Sequence, residues 1–503
     1  MTGKIELQHM LLDSYKILKI SVDSLSSCKY ILALLLLKCI SDAKKESVGI
    51  NNLSSVDKSL TEKTYALGTY WVTNDQSIFD YLYTNKQEKD ISFKIDDAFR
   101  FIIKHMKEER YASISFIDFT DIIKRSRPKM GRKIIYDVLE KFNTLDLRPS
   151  KLSSEKIIGE ACDYLLSVIM EENGNKSSVD YSPKEISTLI GMLIKPIDDE
   201  SIFDPACGVG GLLLNMCKSN ESGHNKIYGQ EINREIYTIC ALSMLLHGME
   251  DAVIWQGNSL SNPKNVTDET LMQFDIAVSV PPFNVSNWGE GILSDSKIGD
   301  NIQYSDIAIL DPYHRFGYGV PPVSKGDYAF ILHMIACLKD KGRMAVVFPS
   351  GVLFRGAKER IIRQHLVEDN LLDTVVLLPA NLLPYTSVPI NILIFKKSRS
   401  HKDVLFIDAS NGYEKKRKRN VLREDDIKHI KRIYEGRIIE PRFSYCATLD
   451  EIRKNNFNLS VARYVDTFEE KTIDIEAINR SVINLETELT KIQAELVQLL
   501  KDL

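Results

Sequence analysis

The chain has no Cys-x-x-Cys pair, no apolar run long enough to span a bilayer and no strong excess of charge of either sign. Each absence removes a class of protein. The eight cysteines, Cys28, Cys39, Cys162, Cys207, Cys217, Cys240, Cys337 and Cys446, are scattered through apolar segments. That pattern argues against a disulfide framework or a zinc ribbon and for reduced, mostly buried thiols in a cytoplasmic protein, with no metal site expected. The most apolar stretch, Tyr30 to Leu37, stops at Lys38, well short of the roughly 20 residues a membrane helix needs. It is expected to be a core helix, with no membrane association and no targeting peptide. With 65 Lys and Arg against 69 Asp and Glu, the chain is not composed to coat nucleic acid by itself. A role on DNA would need local basic patches or a basic partner. Neither the dinucleotide fingerprint GxGxxG nor the phosphate loop with its Lys-Ser/Thr is found at the chain's main glycine-rich turn.

What is present divides the chain by texture. At 503 residues and 44% hydrophobic content, two or three domains are expected. Residues 1–150 place apolar residues at helical spacing with little strand-like alternation, predicting a helical N-terminal domain. Residues 151–400 alternate short β-rich runs with helical stretches: Ile227–Gln230, Ala252–Trp255, Phe274–Val278, Met344–Phe348, Thr374–Leu378 and Ile390–Phe395. Such alternation implies an α/β domain with a mainly parallel, doubly wound sheet, in which ligands bind at the carboxyl ends of the strands. Residues 401–465 form a polar, basic extension of that domain. Its run Lys415-Lys416-Arg417-Lys418-Arg419 reads either as a phosphate contact or, more commonly for so short a run, as a solvated loop. In residues 466–503, Ile475, Ile478, Val482, Leu485, Leu489, Ile492, Leu496, Leu499 and Leu503 recur at alternating gaps of three and four. This is a coiled-coil seam, and it needs either its own domain or another subunit to cover it.

The most informative segment is Phe203-Asp204-Pro205-Ala206-Cys207-Gly208-Val209-Gly210-Gly211-Leu212, a glycine-rich turn between an apolar run and a helix-like one. Gly208, Gly210 and Gly211 allow positive φ and close backbone approach, and Asp204 can accept a hydrogen bond from a cationic amine. About twenty residues on, Glu231 ends the next strand, followed by Ile232, where an acidic side chain can take both hydroxyls of a ribose. A solvated strand-end carboxylate is the plainer reading of Glu231 alone.

Together with the motifs downstream of it, this segment resembles the S-adenosylmethionine loop of the N6-adenine DNA methyltransferases, specifically the modification subunit of type I restriction-modification systems. The resemblance implies a Rossmann-like methyltransferase sheet and S-adenosylmethionine as cofactor. It also assigns cofactor-binding roles to Asp204, Ala206, Cys207, Gly208, Gly210, Gly211, Glu231 and Ile232. Gly257-Asn258-Ser259 stands where the family has Gly-Asp to accept the cofactor's adenine amine, and Asn258 retains an amide oxygen for that purpose. Tyr181-Ser182-Pro183 corresponds to the family's Tyr-Thr-Pro segment over the methionine end, although Ser-Pro is also an ordinary helix start. The likeness extends to Arg315–Pro322, Asp327–Phe330, Gly342–Gly356, Leu378–Leu382 and Asn456–Ser460.

In the family's catalytic segment an Asn or Asp precedes Pro-Pro and an aromatic. The side-chain oxygen and the first proline's carbonyl accept the two amine hydrogens of adenine, and the aromatic stacks on the base once it is flipped out. Here the segment reads Val280-Pro281-Pro282-Phe283. Valine has no acceptor, so one of the two hydrogen bonds is missing. By comparison with loss of one oxyanion-hole donor, a rate cost on the order of a hundred- to a thousandfold is expected. Strand alternation turns Ser279 to the other face, leaving it and Asn284 poor substitutes. Two readings compete: an adenine methyltransferase with impaired turnover, and a catalytically silent subunit used for DNA binding or cofactor sensing in an anti-phage defence complex. The family further implies double-stranded DNA, a DNA sequence-specificity subunit docked through the C-terminal helix, a second copy of the chain, and a restriction or translocase subunit as partners.

Overall fold

The computed structural model describes residues 2–48, 77–105, 115–154, 156–173, 182–220, 224–294, 304–466 and 475–501. The chain divides into two units, 1–465 and 466–503. In the first, the helix Ser24–Val48 carries the apolar run, with every side chain from Tyr30 to Leu37 buried. By length and composition Ser24–Glu46 could cross a membrane, but here it is packed between the helices Lys4–Leu18, Ile157–Asn173 and Arg234–Leu246. Lys38, which ends the run, is itself buried and pairs with Asp42 one turn on at 2.7 Å, so neither charge is stranded. Asp42 also lies 3.4 Å from Lys45, and it accepts from the Leu147 N–H at 2.8 Å, which ties this turn to the end of the helical layer.

That layer is not a separate core. Ile157, Cys162, Leu165 and Ile169, from a helix that lies beyond residue 150, pack with Leu7, Leu35 and Phe142, and so do Val209, Ile236, Ile239 and Leu242 from around the glycine turn. The helices on this side of the sheet therefore serve both the helical layer and the sheet.

The main sheet is built from β1 Ser201–Asp204, β2 Lys226–Glu231, β3 Val253–Gln256, β6 Phe274–Ser279, β7 Leu338–Pro349, β8 Leu372–Leu377, β9 Ile390–Lys396, β10 Val404–Asp408 and β13 Ser444–Ala447. These nine strands lie in the order β13-β10-β8-β9-β7-β6-β1-β2-β3. Two small hairpins lie outside it, β4 Val266–Thr267 with β5 Thr270–Leu271 and β11 Glu414–Lys415 with β12 Asn420–Val421. β1, β2, β3, β6 and β7 run parallel, as do β8 and β10, while β9 is antiparallel to both its neighbours and β13 to β10. All residues of β1 and β10 are buried, as expected for strands covered by helices on both faces. The order reverses between β1 and β6, which opens a crevice at their carboxyl ends.

The second unit holds the helix Ile475–Lys501. Five of the seam residues, Val482, Leu485, Leu489, Ile492 and Leu496, are exposed on it. The side chains of Ile475, Ile478 and Leu499, and all of Leu503, lie outside the described residues.

Candidate active site

At the reversal point lies a cavity of about 290 Å³, at the small end of the range for small-molecule sites. Four strand ends build it. Asp204 closes β1, Glu231 closes β2, Gly257 and Asn258 follow β3, and Val280 follows β6; all five line it. Ala206, Cys207, Gly208 and Gly211 contribute from the glycine turn, and Ser182, Ile232, Ser259 and Pro282 also line it.

The turn's conformation follows from its glycines. Gly208 has φ +55 and Gly210 φ +86, both left-handed, and a Cβ on Gly210 would come within 2.6 Å of Met244 Cε and 2.9 Å of Cys240 Sγ. The turn therefore folds tightly onto the helix Arg234–Leu246 and feeds directly into the helix Gly211–Lys218.

Asp204 Oδ1 accepts from the Ala206 N–H at 2.9 Å and from Ser279 Oγ at 2.7 Å. Glu231 accepts the Gly208 N–H at 3.1 Å through Oε2 and the Asn233 N–H at 2.7 Å through Oε1. Neither carboxylate has an ion-pair partner among the described residues. Burial pushes the Asp204 carboxyl up to about 7, and the charge of Glu231 adds to it against the two hydrogen bonds. Burial likewise raises Glu231. Two buried carboxylates with unused lone pairs, no cation between them and a glycine cradle beside them suit a cationic ligand that carries hydroxyls.

Three neighbours have their polar oxygens engaged within the protein, and of these only Asn258 differs from the sequence expectation. Asn258 Oδ1 accepts from the N–H of Leu260 at 2.9 Å and of Ser261 at 3.3 Å. Its oxygen is thus spent on a local turn, leaving the amide NH2 for a ligand. That turn is held from behind by buried Arg315, which donates to the carbonyls of Ser259 and Leu260 at 3.2 and 2.8 Å while paired with Asp311. Ser279, facing away from the position of Val280, is committed to Asp204. Asn284 Oδ1 accepts from Lys325 Nζ at 2.7 Å and from Arg355 Nη1 at 3.0 Å.

Val280 is only 6% exposed, and it lines the same cavity as the two carboxylates. Phe283 does not line it; its ring packs 5.9 Å from Phe348 and 5.8 Å from Tyr385. Pro183, Gly210 and Pro281 also lie outside the lining, Pro183 as the residue that starts the helix Lys184–Ile194. Tyr181 falls outside the described residues. Sequence reasoning did not assign Val285, Trp288 and Phe330 to the wall they form. The Trp288 indole N–H, donating to the Pro322 carbonyl at 3.0 Å, fixes one side of that wall. The signal in the sequence was proximity to the Pro-Pro-Phe segment for Val285 and Trp288, and for Phe330 its place in the family-like stretch Asp327–Phe330.

Residues 153–472 match the family described as N-6 DNA Methylase. The type I restriction enzyme MpnII methylase subunit of Mycoplasma pneumoniae is 28% identical over 450 residues, covering 85% of this chain and 80% of that one. The MjaVII methylase subunit of Methanocaldococcus jannaschii is 33% identical over 350 residues, covering 67% and 57%. Among solved structures, the methyltransferase subunit of a type I restriction-modification system from Streptococcus thermophilus superposes with a TM-score of 0.76 at 26% identity, covering 92% of this chain and 100% of the other.

Proposed function

The chain belongs to the N-6 DNA methylase family of type I methylase subunits, and from that premise we propose that its cavity binds S-adenosylmethionine beside a slot for a flipped adenine. When bound, that cofactor supplies an electrophilic methyl group on a sulfonium. Asp204 is the acceptor for the cofactor's ammonium group and Glu231 for its ribose hydroxyls. The buried, unpaired state of both carboxylates supports this. Asn258, its oxygen already bonded, meets the adenine ring as a donor rather than an acceptor. Phe283, with Tyr385 and Phe348 around it, supplies the stacking surface for the target base.

Val280 sets the rate. Its isopropyl group stands at the cavity wall where an acceptor for the adenine amine belongs, and that single observation carries the reading of impaired turnover. The second reading, a silent subunit that binds DNA or senses the cofactor within a defence complex, is favoured by the engagement of both potential substitutes, Ser279 with Asp204 and Asn284 with Lys325 and Arg355. The partners in either case are double-stranded DNA, a sequence-specificity subunit on the exposed seam of the C-terminal helix, a second copy of the chain, and a restriction or translocase subunit, in the cytoplasm.

Transfer of labelled methyl to duplex DNA, measured on the complex that co-purifies with the chain, tests this. The wild-type chain is expected to bind the cofactor and transfer little or nothing, and Val280→Asn to raise transfer by on the order of a hundredfold or more. Robust transfer by the wild type would refute the impairment. Cofactor binding with no gain in Val280→Asn favours the silent subunit.

A further inference from the structure

The basic run at 415–419 belongs to the β11–β12 hairpin, and its position gives it a use. Because β10 runs in the same direction as β1, β2, β3 and β6, the chain leaves β10 on the edge of the sheet that carries the cavity, and the hairpin follows at once. It is anchored there rather than dangling. Arg419 pairs with Glu185, three residues beyond the cavity-lining Ser182. Asn420 donates through its backbone N–H to the Asn381 carbonyl at 2.9 Å and through Nδ2 to the Ala380 carbonyl at 2.8 Å. The turn is closed by the Lys416 N–H donating to the Arg419 carbonyl at 3.1 Å, which leaves Arg417 and Lys418 at the tip.

The hairpin's own residues, 414–421, carry five cations and one carboxylate in a chain whose overall charge is negative. Arg419 is spent on the anchor, Lys416 lies 3.5 Å from the exposed Glu414, and Lys418 is in electrostatic reach of Glu172. The side chains of Lys415 and Arg417 are exposed and have no hydrogen bond or ion pair among the described residues. Of the three acids that start the following helix, Asp426 is bound to Arg423 and Glu424 to Lys428, and Asp425 is in electrostatic reach of both Arg423 and Lys428. Tyr413, 38% exposed, stands beside the hairpin.

A second basic element lies on the opposite, β2 side of the cavity. Arg127, Lys129, Arg132 and Lys133 lie at the start of the helix Pro128–Asn143 without ion-pair partners among the described residues. Their neighbour Arg125 reaches Asp23, which accepts from Ser26 Oγ, and Ser26 also meets Glu235 beside the cavity-lining Asn233. Cations on both flanks of the cavity complement a long, rod-like polyanion better than a short acidic peptide.

We infer that the β11–β12 hairpin is a phosphate grip for duplex DNA, holding the backbone on the β8 side of the cavity mouth while the base enters the slot beside the cavity. This rests on the reading of the chain as a DNA methylase subunit and goes beyond it by assigning a surface that positions the duplex without reading its sequence. Binding of the purified complex to a 40-bp duplex, followed across a series of KCl concentrations, tests it. Neutralising Lys415→Gln with Arg417→Gln, which leaves the anchors Arg419 and Asn420 in place, is expected to weaken binding by about tenfold to a hundredfold at 0.1 M salt. It also lowers the slope of log affinity against log salt by about 2, close to 0.9 per phosphate contact. Binding of labelled S-adenosylmethionine stays unchanged, and Lys415→Arg with Arg417→Lys keeps the wild-type slope. An unchanged slope in a complex that still binds cofactor and duplex overturns the grip alone, as does retention of DNA with loss of a co-purifying protein. A wild-type complex that binds neither cofactor nor duplex overturns the underlying reading and the grip with it.

Discussion

Under the proposed cofactor reading Asp204 is the residue to probe first, because burial pushes its carboxyl up to about 7, far above the ~3.9 of a free aspartate. The sign of the consequence is fixed by linkage. A carboxyl whose folded value is raised contributes stability that is fully present below about pH 4 and is lost as pH rises through about 7. A cationic ligand reverses this by favouring the ionised form. Cofactor affinity is therefore expected to increase between about pH 6 and pH 8, with protons released on binding near the lower end of that window; calorimetry in two buffers of different ionisation enthalpy reads both. Asp204→Asn should flatten that profile and weaken binding by roughly tenfold to a hundredfold, the worth of a hydrogen bond to a charged group. Its melting temperature at pH 8 should not fall below that of the wild type, since an amide oxygen can still accept from Ala206 and Ser279. Asp204 and Glu231 were legible in the sequence because strand ends and glycines mark their positions. The commitment of the Asn258 oxygen to two backbone amides was not, because an Asn after a strand looks the same whether its side chain serves a ligand or its own turn.

At the scale of elements, the glycine turn is rigid for a reason that a pair of substitutions exposes. Gly210 combines φ +86 with neighbours that would stand 2.6 and 2.9 Å from an added Cβ, so Gly210→Ala is expected to lose about 1–3 kcal/mol of stability and to bind cofactor poorly. At Gly211 an added Cβ would meet nothing within 4 Å, and the residue sits at the first position of its helix, so Gly211→Ala should stay within about 0.5 kcal/mol of the wild type. Urea denaturation of the two variants side by side checks the contrast. The runs around Ile227, Phe274, Thr374 and Ile390 became strands because β-branched and aromatic residues fill the buried sheet from both faces. Direction is another matter. A fully apolar run carries no mark of its polarity, so the antiparallel setting of β9 between β7 and β8 could not be read from it. β10 and β13 were hidden for a different reason, being short strands inside a polar stretch at the edge of the sheet.

For the whole molecule, the question is what joins it to others. The seam on the helix Ile475–Lys501 leaves Leu485 65% and Leu489 56% exposed, a stripe that a single helix cannot cover. Leu485→Glu with Leu489→Glu is expected to leave the melting of residues 1–465 and cofactor binding as they are while releasing the co-purifying partner, as read by size-exclusion chromatography of the tagged chain. The seam was legible because a strict repeat of seven survives without any knowledge of the partner. The fusion of the helical layer with the sheet was not, since helical spacing shows that a face is covered but not by which segment.

That fusion reaches into the glycine turn itself. Between Gly208 and Gly210, Val209 points its side chain into the same cluster as Leu7 and Leu35. A foreign amino-terminal half grafted onto this sheet would therefore have to reproduce the surface under Val209, or the turn that carries the cavity-lining Gly208 would lose its support from below.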